Sequence, residues 1–257
     1  DPEINEYLSR LGQRLVASSA DSAGDFHFFA IRDGQVNAFA MFGGYIGVNT
    51  GTILTSQTES ELAGVMAHEI SHVTQHHLAR QISNQKQQSV LGMIAMAVAL
   101  LAARSNSQAA GGAMAGSEAA MVQSFLAYSR DFEREADRIG FDVLEKAGYD
   151  PRGMAEFFER LQRSTRVYEN NAPVYMRSHP ITVERISDMQ NRQARSPYRQ
   201  VRDSLDFQLV RAKLRAQLGT PKEAVNDFEI LLRERKFSSE AAARYGLSYA
   251  LWRAKRY

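Results

Sequence analysis

Two histidines and a glutamate, in His68-Glu69-Ile70-Ser71-His72, carry the densest chemistry of the 257-residue chain. A helix turns once per 3.6 residues, so positions four apart point the same way and two neutral imidazoles there can grip one zinc ion. Glu69 lies about 100° round the helix from His68, which suits a base acting on water better than a ligand. This is the H-E-x-x-H spacing of zinc peptidases. Around it Leu62, Val65, Met66, Ile70 and Val73 recur at spacings of three and four, which predicts an amphipathic helix. Thr58 with Glu61 offers a capping box at its start, and the helix is expected to run past Arg80.

Two histidines leave zinc short of a third protein ligand. A metzincin would supply it six residues after His72, with a glycine at the third; Leu78 and Gln75 hold those places and exclude it. His76 extends the stripe, but three ligands along one straight helix cannot converge on one ion. His76 and His77 are therefore read as surface residues. A second helix offers carboxylates instead. Glu133 and Asp137 stand four apart in Asp131-Phe132-Glu133-Arg134-Glu135-Ala136-Asp137-Arg138, so one can bind metal while the other supports a histidine. A charged face paired with Arg134 and Arg138 is the alternative.

The chain has no cysteine, so it has no disulfide framework, and any zinc must be held by His, Asp or Glu. Its 44% hydrophobic and 23% charged residues are ordinary for a soluble globular protein, with length for one main domain and something smaller. A net charge of +2 conceals an asymmetry: residues 1–194 hold 17 Lys+Arg and 22 Asp+Glu, giving −5, and residues 195–257 hold 14 and 7, giving +7. This favours a boundary near Arg195, with an acidic partner or intramolecular docking for the tail; a basic solvated face is the alternative. No nucleic-acid partner is expected. The chain opens on Asp1-Pro2 without a start methionine or an apolar secretory segment, so a processed or trimmed piece of a longer protein is expected.

The elements needed to position these residues can be read from periodicity. Ile4, Leu8, Leu11, Leu15 and Val16 predict a first helix. Phe26 to Ile31 and Tyr45 to Asn49 read as strands, with Asn37 to Met41 between them and Gly43-Gly44 as the turn. The Asn37 segment is the candidate edge strand, and Asn37, Ala38 and Phe39 are candidate substrate-binding residues that can receive an extended peptide by strand addition. Thr50 to Ser56 reads as a short helix or turn. Residues 90–103 are 14 uncharged residues, shorter than the ~18–20 needed to span a bilayer. They read as a buried helix, with peripheral membrane contact through 90–120 as the alternative. A helix is expected over 121–146, another after Asp150-Pro151, a loop over 164–178 and a short helix over 181–192 begun by Pro180. Leu205 to Leu218, Pro221 to Arg235 and Ser239 to Arg253 read as three tail helices. Leu209 and Ala243, like Arg211 and Tyr245, are 34 residues apart, the period of a tetratricopeptide helix pair; a plain helical hairpin is the alternative. The expected fold class is thus α+β, mainly α. A metalloprotease domain over 1–194 precedes the start of a tetratricopeptide-like array over 195–257.

The zinc-helix motif followed by Glu133-x-x-x-Asp137 resembles the membrane-linked gluzincins that include the HtpX and CAAX prenyl endopeptidases. The likeness extends through Asn37-Ala38-Phe39-Ala40, Gly43-Gly44, Glu135-Ala136-Asp137-Arg138-Ile139-Gly140 and Ser178-His179-Pro180, with a helical tail, to periplasmic protease-chaperones among them. The resemblance implies one zinc ion per chain, held by His68, His72 and Glu133, with Glu69 as base and Asp137 supporting the ligands. It implies that His179, with Arg185 five residues beyond Pro180, lies beside the zinc in a catalytic role. It further implies that His179 can itself bind the metal and make the resting form latent. A periplasmic location and a function in quality control of outer-membrane protein assembly come from the resemblance too. The expected partners are unfolded or misassembled outer-membrane proteins, and the assembly machinery through the repeats. A chaperone or assembly scaffold with a structural or latent metal site is the rival reading.

Overall fold

The computed structural model describes residues 1–21, 24–83, 130–167, 174–197 and 199–256. The expectations for 90–103 and 90–120, and for the beginning of the 121–146 helix, lie outside the described residues.

Helix α1 (Pro2–Val16) starts where the Asp1 side chain accepts the Glu3 N–H and Pro2 takes the first turn. It buries Ile4, Leu8, Leu11, Leu15 and Val16, the residues of the apolar stripe, together with Tyr7. Three strands follow, β1 (His27–Ile31), β2 (Ala38–Ala40) and β3 (Tyr45–Asn49), in the order β1-β3-β2. β1 runs parallel and β2 antiparallel to β3, so β2 is an edge strand as expected. The turn between β2 and β3 uses Gly43 and Gly44 at φ of 79° and 75°. At Gly44 a Cβ would stand 2.0 Å from the Asp25 carbonyl oxygen, so no other residue fits there.

Helix α2 (Thr50–Thr55) leads to α3 (Glu59–Thr74), which carries the histidine motif. The spacing predicts an amphipathic helix, but every residue from Glu59 to Ser71 is buried. Its polar residues are covered by partners distant in sequence. Glu61 pairs with Arg160, and the Glu59 carboxylate accepts from Tyr7 Oη at 3.0 Å and from Ser204 N and Oγ at 2.9 and 2.7 Å. Half of the expected capping box forms: Thr58 accepts the Glu61 N–H at 3.2 Å, while Glu61 turns to Gln57 N and Arg160.

The helix does not run past Arg80 in one piece. It stops at Thr74, His76 takes a φ of 53°, and a second helical stretch, α4, occupies 77–83. Next come α5 (130–146), closed by Gly148 at φ 85°, α6 (Arg152–Val167), α7 (Val174–Ser178) and α8 (Val183–Gln193). Two expectations change here. Both described ends of the stretch expected as a loop over 164–178 are helical, 164–167 as the last turn of α6 and 174–178 as α7, and α8 is capped by the Thr182 side chain on Arg185 N rather than begun by Pro180.

The tail helices are α9 (Leu205–Ala216), α10 (Pro221–Arg233) and α11 (Glu240–Arg253). One face of α9, with Phe207, Val210 and Leu214, joins the main core built on α1, the sheet, α3, α5 and α6. Its other face, with Ala212 and Ala216, packs with Ala224, Phe228 and Ala242 into a second, smaller cluster. The tail that begins in sequence at residue 195 therefore shares its first helix with the main core. Asp203 Oδ1 accepts the Glu59 N–H at 2.7 Å, so the tail also caps the start of the histidine helix. Among the described residues no helix is long and apolar enough to cross a membrane.

Candidate metal centre

Helices α3 and α5 approach closely because Gly140 has no side chain: a Cβ there would stand 3.1 Å from the backbone of Ala67 and of His68. That contact sets Glu133 and Asp137 beside His68 and His72. Arg134 reinforces it from outside by reaching Glu184 on α8 at 2.7 Å, and Arg138 reaches Asp188 at 3.2 Å. The two arginines thus tie α5 to α8.

His68, His72, Glu133 and His179 each turn one ligand atom to a common point, all within 4.8 Å of one another. His68 Nε2 lies 3.0 Å from His72 Nε2 and 3.3 Å from His179 Nδ1. Glu133 completes the group, with its oxygens 3.3 Å from His72 Nε2, 3.4 Å from His68 Nε2 and 3.0 Å from His179 Nδ1. Three imidazoles and a carboxylate in a buried cluster are a donor set that fits a zinc ion, so the residues present fit the metal. His179 follows α7 directly and is 8% exposed, not a solvent-facing loop residue. Its ring stacks on Tyr175, which is fully buried.

The charges around the centre are paired in a definite order. Asp137 Oδ1 lies 3.0 Å from His68 Nδ1, on the side of the ring away from the cluster. Arg185 holds Asp137 from behind, with Nε 2.6 Å from Oδ2 and Nη2 2.7 Å from Oδ1. Its Nη1 donates to the Pro180 carbonyl at 2.8 Å and lies 2.9 Å from Glu133 Oε2. One buried guanidinium thus joins Glu133 and Asp137 to the residue following His179.

Burial works against a charged His68, but its contacts with Asp137 and Glu133 outweigh that and push it up to about 10. Burial pushes His72 down. Although burial raises Glu133, its contacts with His179, His68 and His72 hold it well below the usual carboxylate range. Burial likewise raises Asp137, while Arg185 brings it down on balance.

Glu69 is fully buried, and neither carboxylate oxygen has a hydrogen-bond partner. Its Oε1 lies 3.6 Å from His179 Nε2. Glu69, His72 and His179 open onto a cavity of about 330 Å³ whose other wall includes Phe39, Ala40, Met41 and Phe42. Met41 and Phe42 are exposed at its rim.

Of the three candidate substrate-binding residues, Phe39 lines this cavity, and Asn37 and Ala38 do not. The Ala38 side chain is buried beneath the sheet. Asn37 N donates to Thr52 Oγ1, and its carbonyl accepts from Thr52 and from Asn49 N. The backbone of Asn37 is therefore engaged internally and cannot pair with a peptide. Asn37 and Met41 both bond inward to β3, so the alternation of an antiparallel ladder turns the backbone groups of Ala38 and Ala40 to the open edge.

One histidine was misread. His76 is exposed, as expected, but His77 is 3% exposed and belongs to the centre's surroundings. Its Nδ1 lies 2.9 Å from His72 Nδ1, and its Nε2 lies 3.1 Å from Glu135 Oε2, which Arg80 contacts at 2.9 Å. Burial is the largest influence on His77 and pushes it down. Helical periodicity could not reveal this contact, because the chain leaves the helix between the two residues.

Comparison with known proteins gives a consistent answer. The family described as Peptidase family M48 matches residues 2–193. The chain is 43% identical over 229 residues to the putative beta-barrel assembly-enhancing protease of Vibrio cholerae serotype O1, covering 89% of this chain and 47% of that protein. It is 34% identical over 258 residues to the beta-barrel assembly-enhancing protease of Escherichia coli K12, covering 100% of this chain and 53% of the relative. The mitochondrial metalloendopeptidase OMA1 of Schizosaccharomyces pombe is 29% identical over 183 residues, 70% of this chain and 50% of the relative. The chain spans about half the length of these curated relatives.

Proposed function

The chain belongs to peptidase family M48 and is a metalloprotease, and on that premise we propose that it is a zinc-dependent endopeptidase acting on outer-membrane β-barrel proteins that have misfolded or stalled in assembly. The observation that carries the reading is the convergence of His68, His72, Glu133 and His179 beside a buried Glu69 whose oxygens have no hydrogen-bond partner. The substrate class and a periplasmic location rest on the relatives named for β-barrel assembly.

In this reading His68, His72 and Glu133 hold one zinc ion. Bound there, the ion supplies Lewis acidity, bringing the pKa of water toward ~7 and polarising the scissile carbonyl. Glu69 takes the proton of the attacking water and passes it to the departing amine. Asp137 keeps the His68 lone pair turned inward by facing its other nitrogen. Arg185 acts as a positioning residue, since its donors face Asp137, Glu133 and Pro180. The substrate lies extended against β2, with backbone pairing to Ala38 and Ala40 and a side chain against Phe39. Pairing through the backbone suits a segment that has not yet found its place in a barrel.

His179 supports latency. Its Nδ1 lies within the same donor cluster, so with zinc bound it would be a fourth protein donor competing with water for the ion, and the resting form would be closed until the segment after α7 moved. The tail supplies the start of a tetratricopeptide-like array that would meet the assembly machinery.

The test measures zinc content and cleavage of an unfolded β-rich substrate on the same preparations. Glu69→Gln is expected to keep zinc and lose at least ~10²-fold in rate. Retained activity would remove Glu69 from the mechanism. His179→Ala is expected to cleave faster than the parent; a slower variant would mean that the reaction needs the imidazole and that it is not a plug. Absence of chelator-sensitive cleavage in every preparation, His179→Ala included, while zinc is bound would favour the scaffold reading, with the metal structural.

A further inference from the structure

His77 takes part in none of these steps, yet it is buried against the metal centre. It gets there through the break in the helix. On a continuous helix, a residue five positions after His72 sits about 140° round the axis and points away from it. Here α3 ends at Thr74 and His76 adopts a left-handed backbone, which histidine enters more readily than most side chains. The change of direction brings His77 Nδ1 to 2.9 Å from His72 Nδ1. The ring plane is fixed by stacking on Phe132, with centroids 4.4 Å apart and planes 19° from parallel. Nε2, on the far side of the ring, lies 3.1 Å from Glu135 Oε2.

The chemistry of this row fixes where its protons sit. Glu135, ionised beside Arg80, can only accept, so His77 Nε2 carries a hydrogen. An imidazole that gives its one ring hydrogen to a carboxylate accepts at its other nitrogen, so the hydrogen between the two facing Nδ1 atoms belongs to His72. That leaves a bare lone pair on His72 Nε2, the atom 3.3 Å from Glu133 Oε1 and 3.0 Å from His68 Nε2.

We propose that His77, anchored by Glu135, is a positioning residue that imposes on His72 the tautomer and ring orientation needed to bind metal, as Asp137 does for His68. The inference rests on the reading of His72 as a metal ligand. It also explains why an intermediary is needed. Glu133, Glu135 and Asp137 share helix α5, but Glu135 is about 200° round it from Glu133 and faces away from the cluster. Asp137 faces His68 directly, whereas Glu135 meets His72 only through a second ring.

The test reads imidazole ¹⁵N shifts in the metal-free protein and zinc affinity by chelator competition. His72 in the parent is expected to carry its hydrogen on Nδ1, whereas an unconstrained histidine favours Nε2. His77→Phe keeps an aromatic ring on Phe132 but removes both nitrogens. It is expected to move the His72 hydrogen to Nε2 and to weaken zinc binding about 10–100-fold. His77→Asn, whose amide oxygen can take the place of Nδ1, is expected to recover most of the affinity. Glu135→Ala should act in the same direction with a smaller loss. Its side chain is 35% exposed, so it gives the answer if His77→Phe does not fold. An Nε2-protonated His72 in the parent would overturn the inference, as would variants that change neither tautomer nor affinity. A parent protein that takes up no zinc while showing the Nδ1 tautomer would instead overturn the metal reading and leave the relay standing.

Discussion

Removing Arg185 is the sharpest test of how the centre is held together. The guanidinium is 3% exposed and makes two bonds to Asp137, while a third nitrogen serves Glu133 and the Pro180 carbonyl. Arg185→Ala leaves two buried carboxylates without their cation. Breaking a buried pair from one side costs about 3–5 kcal/mol. At about 2–4 °C per kcal/mol for a folded unit of 150–250 residues, the melting temperature of the metal-free protein should fall by roughly 6–20 °C. Saturating zinc should recover part of the loss, because the ion brings positive charge to Glu133. Arg185→Lys should lose less than Arg185→Ala, since it restores the charge without the two-pronged geometry. The deficit should also depend on pH. Asp137 and Glu133 are held below their ordinary values in the parent, so the stability they contribute is present above those values and is lost as pH falls through the depressed ones. The gap between parent and variant is therefore widest near neutrality and closes in acid. Thermal unfolding at pH 7.5 with and without zinc, and at pH 3 without it, below the ordinary carboxylate values, reads all of this. A loss below about 1 kcal/mol, the scale of an exposed pair, would refute the reasoning; equal losses in the alanine and lysine variants would show that charge is not what matters.

Two further outcomes follow from the way the tail is joined. A chain ending at Gly219 keeps Phe207, Val210 and Leu214 in the main core and Asp203 on the start of α3, and is expected to stay folded and to cleave short peptides; one ending at Arg202 loses both and should unfold cooperatively at a lower temperature, with circular dichroism distinguishing the two and equal stability counting against a shared core. The clasp between α1 and the tail rests on Glu3, which burial raises but the bonds from Lys213 and Tyr245 hold below its ordinary value. Its contribution is present above about pH 4.5 and is lost as pH falls through the depressed value, so protection of α11 amides relative to intrinsic exchange should fall further in acid for the parent than for Glu3→Gln.

How much could be read in advance depended on whether the signal was local. The first helix, the three strands with their glycine turn, and the spacing of His68, Glu69 and His72 each lie within one element, where periodicity and turn chemistry speak directly. Glu133 and Asp137 had a rival reading as a charged helix face, and only resemblance favoured them, because nothing within α5 indicates what it packs against. The burial of α3 was not legible: its polar residues are covered by Arg160, Tyr7 and Ser204, the last of them 145 residues from Glu59. His77 was missed for the opposite reason. A purely local rule placed it on the outside of a helix, and a single residue, His76, broke the geometry the rule assumes. Asn37 shows the same limit in the sheet, where membership of an edge segment did not reveal that Thr52 and Asn49 already engage its backbone.

The assembly of the centre from three separate stretches also bears on folding. His68 and His179 are 111 residues apart, and Glu133 and His179 are 46 apart. Only the completed fold brings them to one point, so an ion with affinity for the whole set binds the native chain and not the unfolded one. Mass action then makes free zinc a stabilising agent in its own right, adding about 4 kcal/mol when its concentration is a thousand times the dissociation constant. A copy that fails to fold holds no ion and has no hydrolytic power, while scarcity of metal loosens those that have folded. Under the proposed zinc reading, the supply of the ion sets how many chains are native as well as how many are active.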